Sequence, residues 1–475
     1  MKISNTIPLT FLLCTILCFS QKRTDQILSD LDNKSEFYGN IAQTIWGYAE
    51  MGYQEEKSVA LLQKTLKDEG FSIKAGIAGI PTAFVAEYNN GGPVIGILGE
   101  YDALPGLSQQ AVPEKKPAGK AAGHACGHHL FGTASAATAI AVKNWLKKSK
   151  VRGTVRFYGC PAEEGGSGKV YMVREGVFDD VDAVIHWHPS SANAANAGAA
   201  LANKSAKFRF HGVSAHAAAA PEKGRSALDA VEAMNYMVNM MREHIPSDAR
   251  IHYVITNGGK APNVVPDLAE VYYYARHMKR EVVTDIFDRM VKAAEGAALG
   301  TGTTMDYEMI GGTHELLPNL TLQKIMYDNL VTVGGIDYTE TEKAFADKIG
   351  KTLGVENVNY ETAKNVMPYQ EQGSPMGSTD VGDVSFAVPT VGLGTATWVP
   401  GTPAHSWQAV AAGGMSIGKK GMMVAAKTMT LTAISLFSAP DILDKAKAEF
   451  LEKRGPDFKY VPMLGDRAPA LDYRK

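Results

Sequence analysis

Four short apolar runs constrain this chain more than any other feature. Val94–Leu98, Thr154–Tyr158, Ala183–Trp187 and Thr390–Leu393 are strand-length and nearly continuous in apolar character, as expected of strands covered on both faces. The first ends in Gly99-Glu100-Tyr101-Asp102, which puts polar groups at the carboxyl end of a buried strand, where α/β sheets commonly hold ligands. Leu130–Leu146 lies between two of the runs as an Ala-rich helix. Strands alternating with helices predict a layered α/β domain built on a mixed sheet. Helical periodicity over residues 27–69, broken around Met51–Tyr53, predicts two helices before the first buried strand.

From Lys204 the texture changes. Ala206–Phe210 alternates, Leu228, Val231, Met234, Val238 and Met241 mark one helical face, and Glu270–Arg276 reads as another strand. This predicts a smaller α+β insert over 204–312. Residues 21–203 and 313–438 then form the main domain, and 439–475 a surface-wrapping tail. Two domains suit 475 residues, more than one core usually supports. Ser226 with Asp229 resembles a capping box at the start of the insert's helix, and the Met residues of that helix read as core filling.

The first 20 residues read as an export signal: Lys2, an apolar run from Ile7 to Leu17, and small residues at Cys18-Phe19-Ser20. The run is short for a membrane anchor, and a lipid-modified Cys18 is an alternative. A periplasmic or secreted location follows, and no later stretch is apolar enough to span a bilayer. Removing the signal leaves Cys126 and Cys160, which could form one disulfide. With 48 basic and 50 acidic residues, the chain has no broad pull toward nucleic acid. A small-molecule ligand fits better.

The chemistry concentrates in Gly123-His124-Ala125-Cys126-Gly127-His128-His129. Glycines allow a tight turn there, and thiolate with imidazole is a donor set suited to a borderline metal. Competing readings are a buried loop of stacked histidines and a cysteine nucleophile activated by histidine. The adjacent Glu163-Glu164, after a strand and the turn at Cys160-Pro161, can direct one carboxylate to a metal and the other to water. His186 and His188 share a strand face, so either is a candidate ligand. His405 stands in a loop after the last buried strand.

In ordered combination, these stretches resemble the M20 peptidase family in its amidohydrolase branch. Met51–Glu56, Asp102-Ala103-Leu104-Pro105, Gly123–His128, Pro161–Glu164, Asp182–His188, Gly212–His216, Asn263–Pro266 and His405 carry the resemblance. It implies two divalent metal ions, Zn or Mn, held by Cys126, His128, Glu164, His188 and His405, with Glu163 as general base. His188 takes precedence over His186 through its spacing from Asp182. Asp102 is implied to orient a ligand, His216 to reach the active site of a second protomer and steady the reacting carbonyl, and Asn263 and, more weakly, Arg276 to bind substrate. The insert would then be a dimerisation or lid domain in a homodimer, with a paralogous chain as a further partner. The implied activity is hydrolysis of an N-acyl or N-aroyl amino acid with a free carboxylate, p-aminobenzoyl-glutamate among them, drawn by a residual positive field at the metals. A dipeptidase and a non-catalytic binding protein of the same fold are the alternatives. Two departures bear on metal preference: His129 stands where many relatives have Asp, and Glu100 stands where Asp is often found.

Overall fold

A computed structural model describes residues 25–373 and 377–475. The expected export signal, with Cys14 and Cys18, lies outside the described residues. Among those described there are twelve strands: β1 (Ser72–Ala75), β2 (Phe84–Asn89), β3 (Val94–Glu100), β4 (Leu104–Pro105), β5 (Ala122–Gly123), β6 (Thr154–Cys160), β7 (Ala183–Ser190), β8 (Ala202–His211), β9 (Arg250–Asn257), β10 (Leu268–His277), β11 (Thr304–Thr313) and β12 (Thr390–Ala396). Six form one sheet in the order β1-β2-β6-β3-β7-β12. β6, β3, β7 and β12 run parallel, and β2 is antiparallel to both β1 and β6. The four apolar runs are these parallel strands, and Ile95, Ile97, Val155, Phe157, Val184, Ile185 and Val391 are all buried. Their length and composition match the sheet because helices cover it.

Two long helices, His128–Ser149 and Ser416–Ser438, pack on each other and on this sheet. The second corrects one expectation: it is long and apolar enough to cross a membrane, yet 78% of its most apolar window is buried inside the protein. Its hydrophobicity serves a core helix flanked by the sheet and by helix Leu320–Val333. The two early helices appear as Ser35–Tyr48 and Glu56–Asp68.

The insert is a second unit with its own core. Its sheet runs β11-β8-β10-β9, all antiparallel, and helices Ala227–Met241 and Arg280–Thr301 cover one face. Phe208, Phe210, Val231, Met234, Val238, Val271, Phe287 and Met290 fill the space between, so the Met-bearing face is core packing. The sheet opens at Ala202 and closes at Thr313. Ser226 caps its helix by accepting from the Asp229 amide. The Asp229 carboxylate turns to the Ser226 hydroxyl instead of the Ser226 amide, so the reciprocal half of a capping box is missing; Thr339 and Glu342 form a complete one. The tail opens with a helix, Pro440–Arg454, and an irregular segment follows it.

Candidate metal centre

The parallel register aligns the strand ends. Glu100 of β3 lies opposite Cys160 of β6, and His188 of β7 opposite Gly394 of β12, so the segments leaving these strands meet at one edge of the sheet. Cys126 and His128 come from the turn before helix His128–Ser149. Gly127 has φ 79°, and a Cβ there would lie 2.7 Å from Pro189 at the end of β7. Glycine thus lets the Cys126 turn close onto the His188 strand. The result is a Cys126 Sγ to His188 Nε2 distance of 3.3 Å.

Three overlapping donor groups gather there, the atoms of each within 4.8 Å of one another: Cys126, His128 and His188; Cys126, Glu164 and His405; Glu100, His128 and Glu163. The adjacent glutamates therefore diverge, Glu164 toward Cys126 and His405, Glu163 toward Glu100 and His128. His405, at φ 59°, is tied to the Cys126 turn by its backbone amide, which donates to the Ala125 carbonyl at 3.0 Å. His186 is excluded from the cluster because its ring lies against Gly392 of β12, where any Cβ would collide with it. A shared strand face left both histidines open, and the converging donor groups include His188 and not His186.

The donors fit a cation. Glu100 Oε2, His128 Nε2 and Glu164 Oε1 are buried without hydrogen-bond partners among the described residues. Two ion-pair contacts, His128 Nε2 to Glu100 Oε2 and His405 Nε2 to Glu164 Oε1, span 3.1 Å without hydrogen-bond geometry. Buried acceptors left in this way are costly unless a positive centre engages them. Asp102 Oδ1 is 2.8 Å from His128 Nδ1 and Oδ2 accepts the Glu164 amide at 2.9 Å. One carboxylate thereby orients the imidazole and the Glu164 backbone together.

Electrostatics follow from burial and crowding. Burial, then the charges of Glu100 and Glu164, push the Glu163 carboxyl well above its usual range. Burial also raises Glu164, but the His405 imidazole and the His128 charge outweigh it and leave that carboxyl low. Asp102 behaves likewise, its burial overcome by His128. Burial drives the Cys126 thiol up, so its thiolate needs a cation beside it.

Several site groups carried no recognisable sequence signal. Lys169, fully buried, pairs with Glu100 and Asp380 at 2.6 Å each; Glu55, also buried, accepts the Ala162 amide at 2.9 Å. Glu100 stood out as a polar residue at a buried strand's carboxyl end and as a departure from pattern, not as a ligand. Around the predicted ligands, Glu100 and Asp380 pair with Lys169 and Asp102 with His128, charged groups that the count of Cys126 and Glu164 alone did not include. His129, the other departure, turns away from the site: its ring meets that of His124 at 4.9 Å with a 48° tilt and bonds the Gly413 carbonyl. Cys160 and Cys126 are free, and the Cys160 thiol contacts the Tyr158 carbonyl.

The remaining site candidates sit on the insert. His216 is exposed, and its Nδ1 accepts the Ala218 and Ala219 amides at 3.2 and 3.1 Å, which places the ring proton on Nε2. His216 bridges to Val264, beside Asn263, whose carbonyl accepts the Ala217 amide. Within this single chain, these contacts of His216 and Asn263 stay on the insert. Arg276 lies over the Tyr274 ring at 5.1 Å, its Nε buried without a partner among the described residues.

Residues 202–301 match the peptidase dimerisation domain of M20 proteins. One of the two p-aminobenzoyl-glutamate hydrolase subunits of Escherichia coli is 44% identical over 440 residues, covering 87% of this chain and 91% of the relative. The chain belongs to the M20 family. The Xaa-Arg dipeptidase of Mus musculus is 30% identical, with 88% and 90% covered. A dinuclear metal-binding M20 peptidase from Bacillus subtilis shares the fold at 18% identity and a TM-score of 0.58, with 86% of this chain and 99% of that one covered. The α/β architecture with its inserted domain is thus that of the family, and the chain is a metal-dependent amidohydrolase.

Proposed function

We propose that this M20 enzyme hydrolyses N-acyl or N-aroyl amino acids bearing a free carboxylate, with p-aminobenzoyl-glutamate the preferred substrate. The observation that carries the reaction class is the convergence of Cys126, His128, Glu164, His188 and His405 around buried, unpartnered donor atoms, with Glu163 beside them. The identity to the Escherichia coli p-aminobenzoyl-glutamate hydrolase chain supports the substrate. We assign those five residues as ligands of two divalent ions, Zn or Mn. When bound, such ions supply Lewis acidity that activates water and polarises an amide carbonyl.

The protein's own groups do the rest. Glu163 accepts the proton of the attacking water and returns it to the departing amine nitrogen. Its crowded, buried setting favours a carboxyl able to hold a proton between those steps. Asp102 keeps His128 and the Glu164 backbone in register. His216, with its proton on Nε2, offers a donor to the developing oxyanion. Asn263 and Arg276, both on the insert, bind the substrate carboxylate.

His216 reaches an active site across a homodimer interface in this reading. The insert supports such an interface: Tyr253, Val254 and Ile255 on edge strand β9, and Tyr236 and Met240 on the neighbouring helix, are exposed apolar residues. A paralogous chain is a second partner, suggested because the relative is one of two subunits of its hydrolase. Export is proposed from the N-terminal apolar run, and N-terminal sequencing of the protein from cells would reveal whether it is cleaved. The substrate test compares kcat/KM for p-aminobenzoyl-glutamate with that for Xaa-Arg dipeptides. Preference for the former is expected, and a dipeptide preference would transfer the assignment to the dipeptidase branch.

A further inference from the structure

The turn that carries Glu163 and Glu164 has one backbone hydrogen bond of its own, from the Gly166 amide to the Ala162 carbonyl at 3.0 Å, and its other ties come from elsewhere in the chain. Ala162 and Ser167 sit at φ 56° and 57°, a region L side chains avoid, and Gly165 at φ 89°. The Glu164–Gly165 peptide therefore borders a residue free to rotate. This peptide follows directly on the two glutamates of the site. On one side the Glu164 amide is fixed by Asp102. On the other, the Glu164 carbonyl accepts two donors from the far end of the sequence: Tyr473 Oη at 3.0 Å and Arg474 Nη2 at 2.8 Å.

The segment that delivers them is itself anchored on both domains. The Val461 carbonyl accepts from His314 at 3.0 Å, and Met463 packs into the insert's core over Gly312. Arg467 donates to the Ile310 carbonyl of β11 at 3.2 Å, and Gln54 to the Leu471 carbonyl at 2.9 Å. Tyr473 meets the Tyr53 ring edge-on at 5.6 Å, and Tyr53 in turn donates to the Gly166 carbonyl at 2.7 Å. Gly52 leaves the space for the Tyr473 hydroxyl that any Cβ would occupy, a reason for glycine in the Met51-Gly52-Tyr53 stretch. Arg474 lies over the Tyr473 ring at 4.8 Å and directs Nη2 to the Glu164 carbonyl.

We propose that Tyr473 and Arg474 are positioning residues of the catalytic loop, clamping the Glu164 carbonyl so that Glu164 faces the metal ligands and Glu163 the reacting water. The inference rests on the role given to that loop above. Losing a charge-assisted hydrogen bond and the alignment it sets should slow turnover about tenfold or more. The test uses the full chain with Arg474→Ala, Arg474→Lys, Tyr473→Phe and the Tyr473→Phe/Arg474→Ala double variant. It measures kcat and KM for p-aminobenzoyl-glutamate, zinc or manganese affinity by calorimetry, and Tm. Expected are a lower kcat with KM changed less than about twofold for Arg474→Ala, weaker metal binding, and partial recovery in Arg474→Lys, which keeps a donor of similar reach. Wild-type kcat and metal affinity in the double variant would overturn the proposal, as would a raised KM at unchanged kcat, which would make Arg474 a substrate contact. If Arg474→Ala lowers Tm sharply, the size-conserving Arg474→Lys and Tyr473→Phe decide. If the wild type does not cleave p-aminobenzoyl-glutamate, the substrate reading fails separately and the metal-affinity arm alone judges the clamp.

Discussion

Replacing Asp102 with Asn changes one atom type and asks two neighbours for something it cannot give. Both carboxylate oxygens act as acceptors, one for His128 Nδ1 at 2.8 Å and one for the Glu164 amide at 2.9 Å. A carboxamide has one acceptor and one donor. If its oxygen keeps the Glu164 amide, its NH2 faces Nδ1 and favours the tautomer with the proton on Nε2, the nitrogen that has to be bare to bind a metal. If its oxygen keeps His128, the Glu164 amide loses its partner inside the site. Either choice forfeits a charge-assisted hydrogen bond worth roughly 1.5–3 kcal/mol, which corresponds to about ten- to hundredfold weaker metal binding. Calorimetric titration of chelator-treated Asp102→Asn with zinc or manganese measures this directly, and turnover at limiting metal should fall in step and recover at excess metal. Metal affinity within about twofold of wild type would refute the claim that Asp102 fixes the ligand tautomer.

Three other outcomes follow from the same geometry. Glu163→Gln should keep its metals while kcat falls roughly 10²–10⁴-fold; stopped-assay kinetics with metal analysis check both, and unchanged turnover would remove Glu163 as the base. Glu163→Gln and His216→Ala, each inactive alone, should regain up to about a quarter of wild-type activity when mixed and reassociated, because a symmetric dimer would then hold one intact site in half of its molecules; no recovery would place His216 in the chemistry of its own chain. Glu55, buried and next to the Asp102 charge, is pushed up to about 8 from 4.5. The native state therefore keeps a proton that the unfolded chain has lost, and this group's contribution makes stability fall as pH rises from about 4.5 to 8. In metal-free protein, the stability of Glu55→Gln relative to wild type should grow across that window in denaturant titrations, and a pH-independent difference would contradict the assignment.

The fold was largely legible because its strongest signals are local. Continuous apolar runs such as Val94–Leu98 have few uses other than a covered strand, and the alternation of Ala206–Phe210 marks a strand with two unlike faces. Helix Ser416–Ser438 was harder, since burial between helix and sheet and burial in a lipid bilayer ask for the same composition. At the site, the Cys126 and His128 turn, the Glu163-Glu164 pair, the two strand histidines and His405 were visible as candidates, and the resemblance to the family narrowed them to Cys126, His128, Glu164, His188 and His405. The support beneath them was not visible. Lys169 and Asp380 are 211 residues apart in sequence yet paired, and Tyr473 and Arg474 meet Glu164 across 309 and 310 residues. Contacts made by chain topology leave no local pattern, so a buried lysine reads like any surface lysine until the sheet brings its partners near. Glu100 and Asp380 likewise could not be counted at the site before the fold placed them beside Lys169.

The central claim is a divalent-metal hydrolase whose ligands are Cys126, His128, Glu164, His188 and His405. The most direct measurement is amide hydrolysis of p-aminobenzoyl-glutamate by the chelator-stripped protein before and after zinc or manganese is restored, with bound metal quantified alongside. The account predicts that stripping abolishes cleavage, that either or both ions restore it, and that His188→Ala neither binds the full complement nor recovers. Undiminished hydrolysis by metal-free protein, or a wild type that binds no divalent ion, would contradict it.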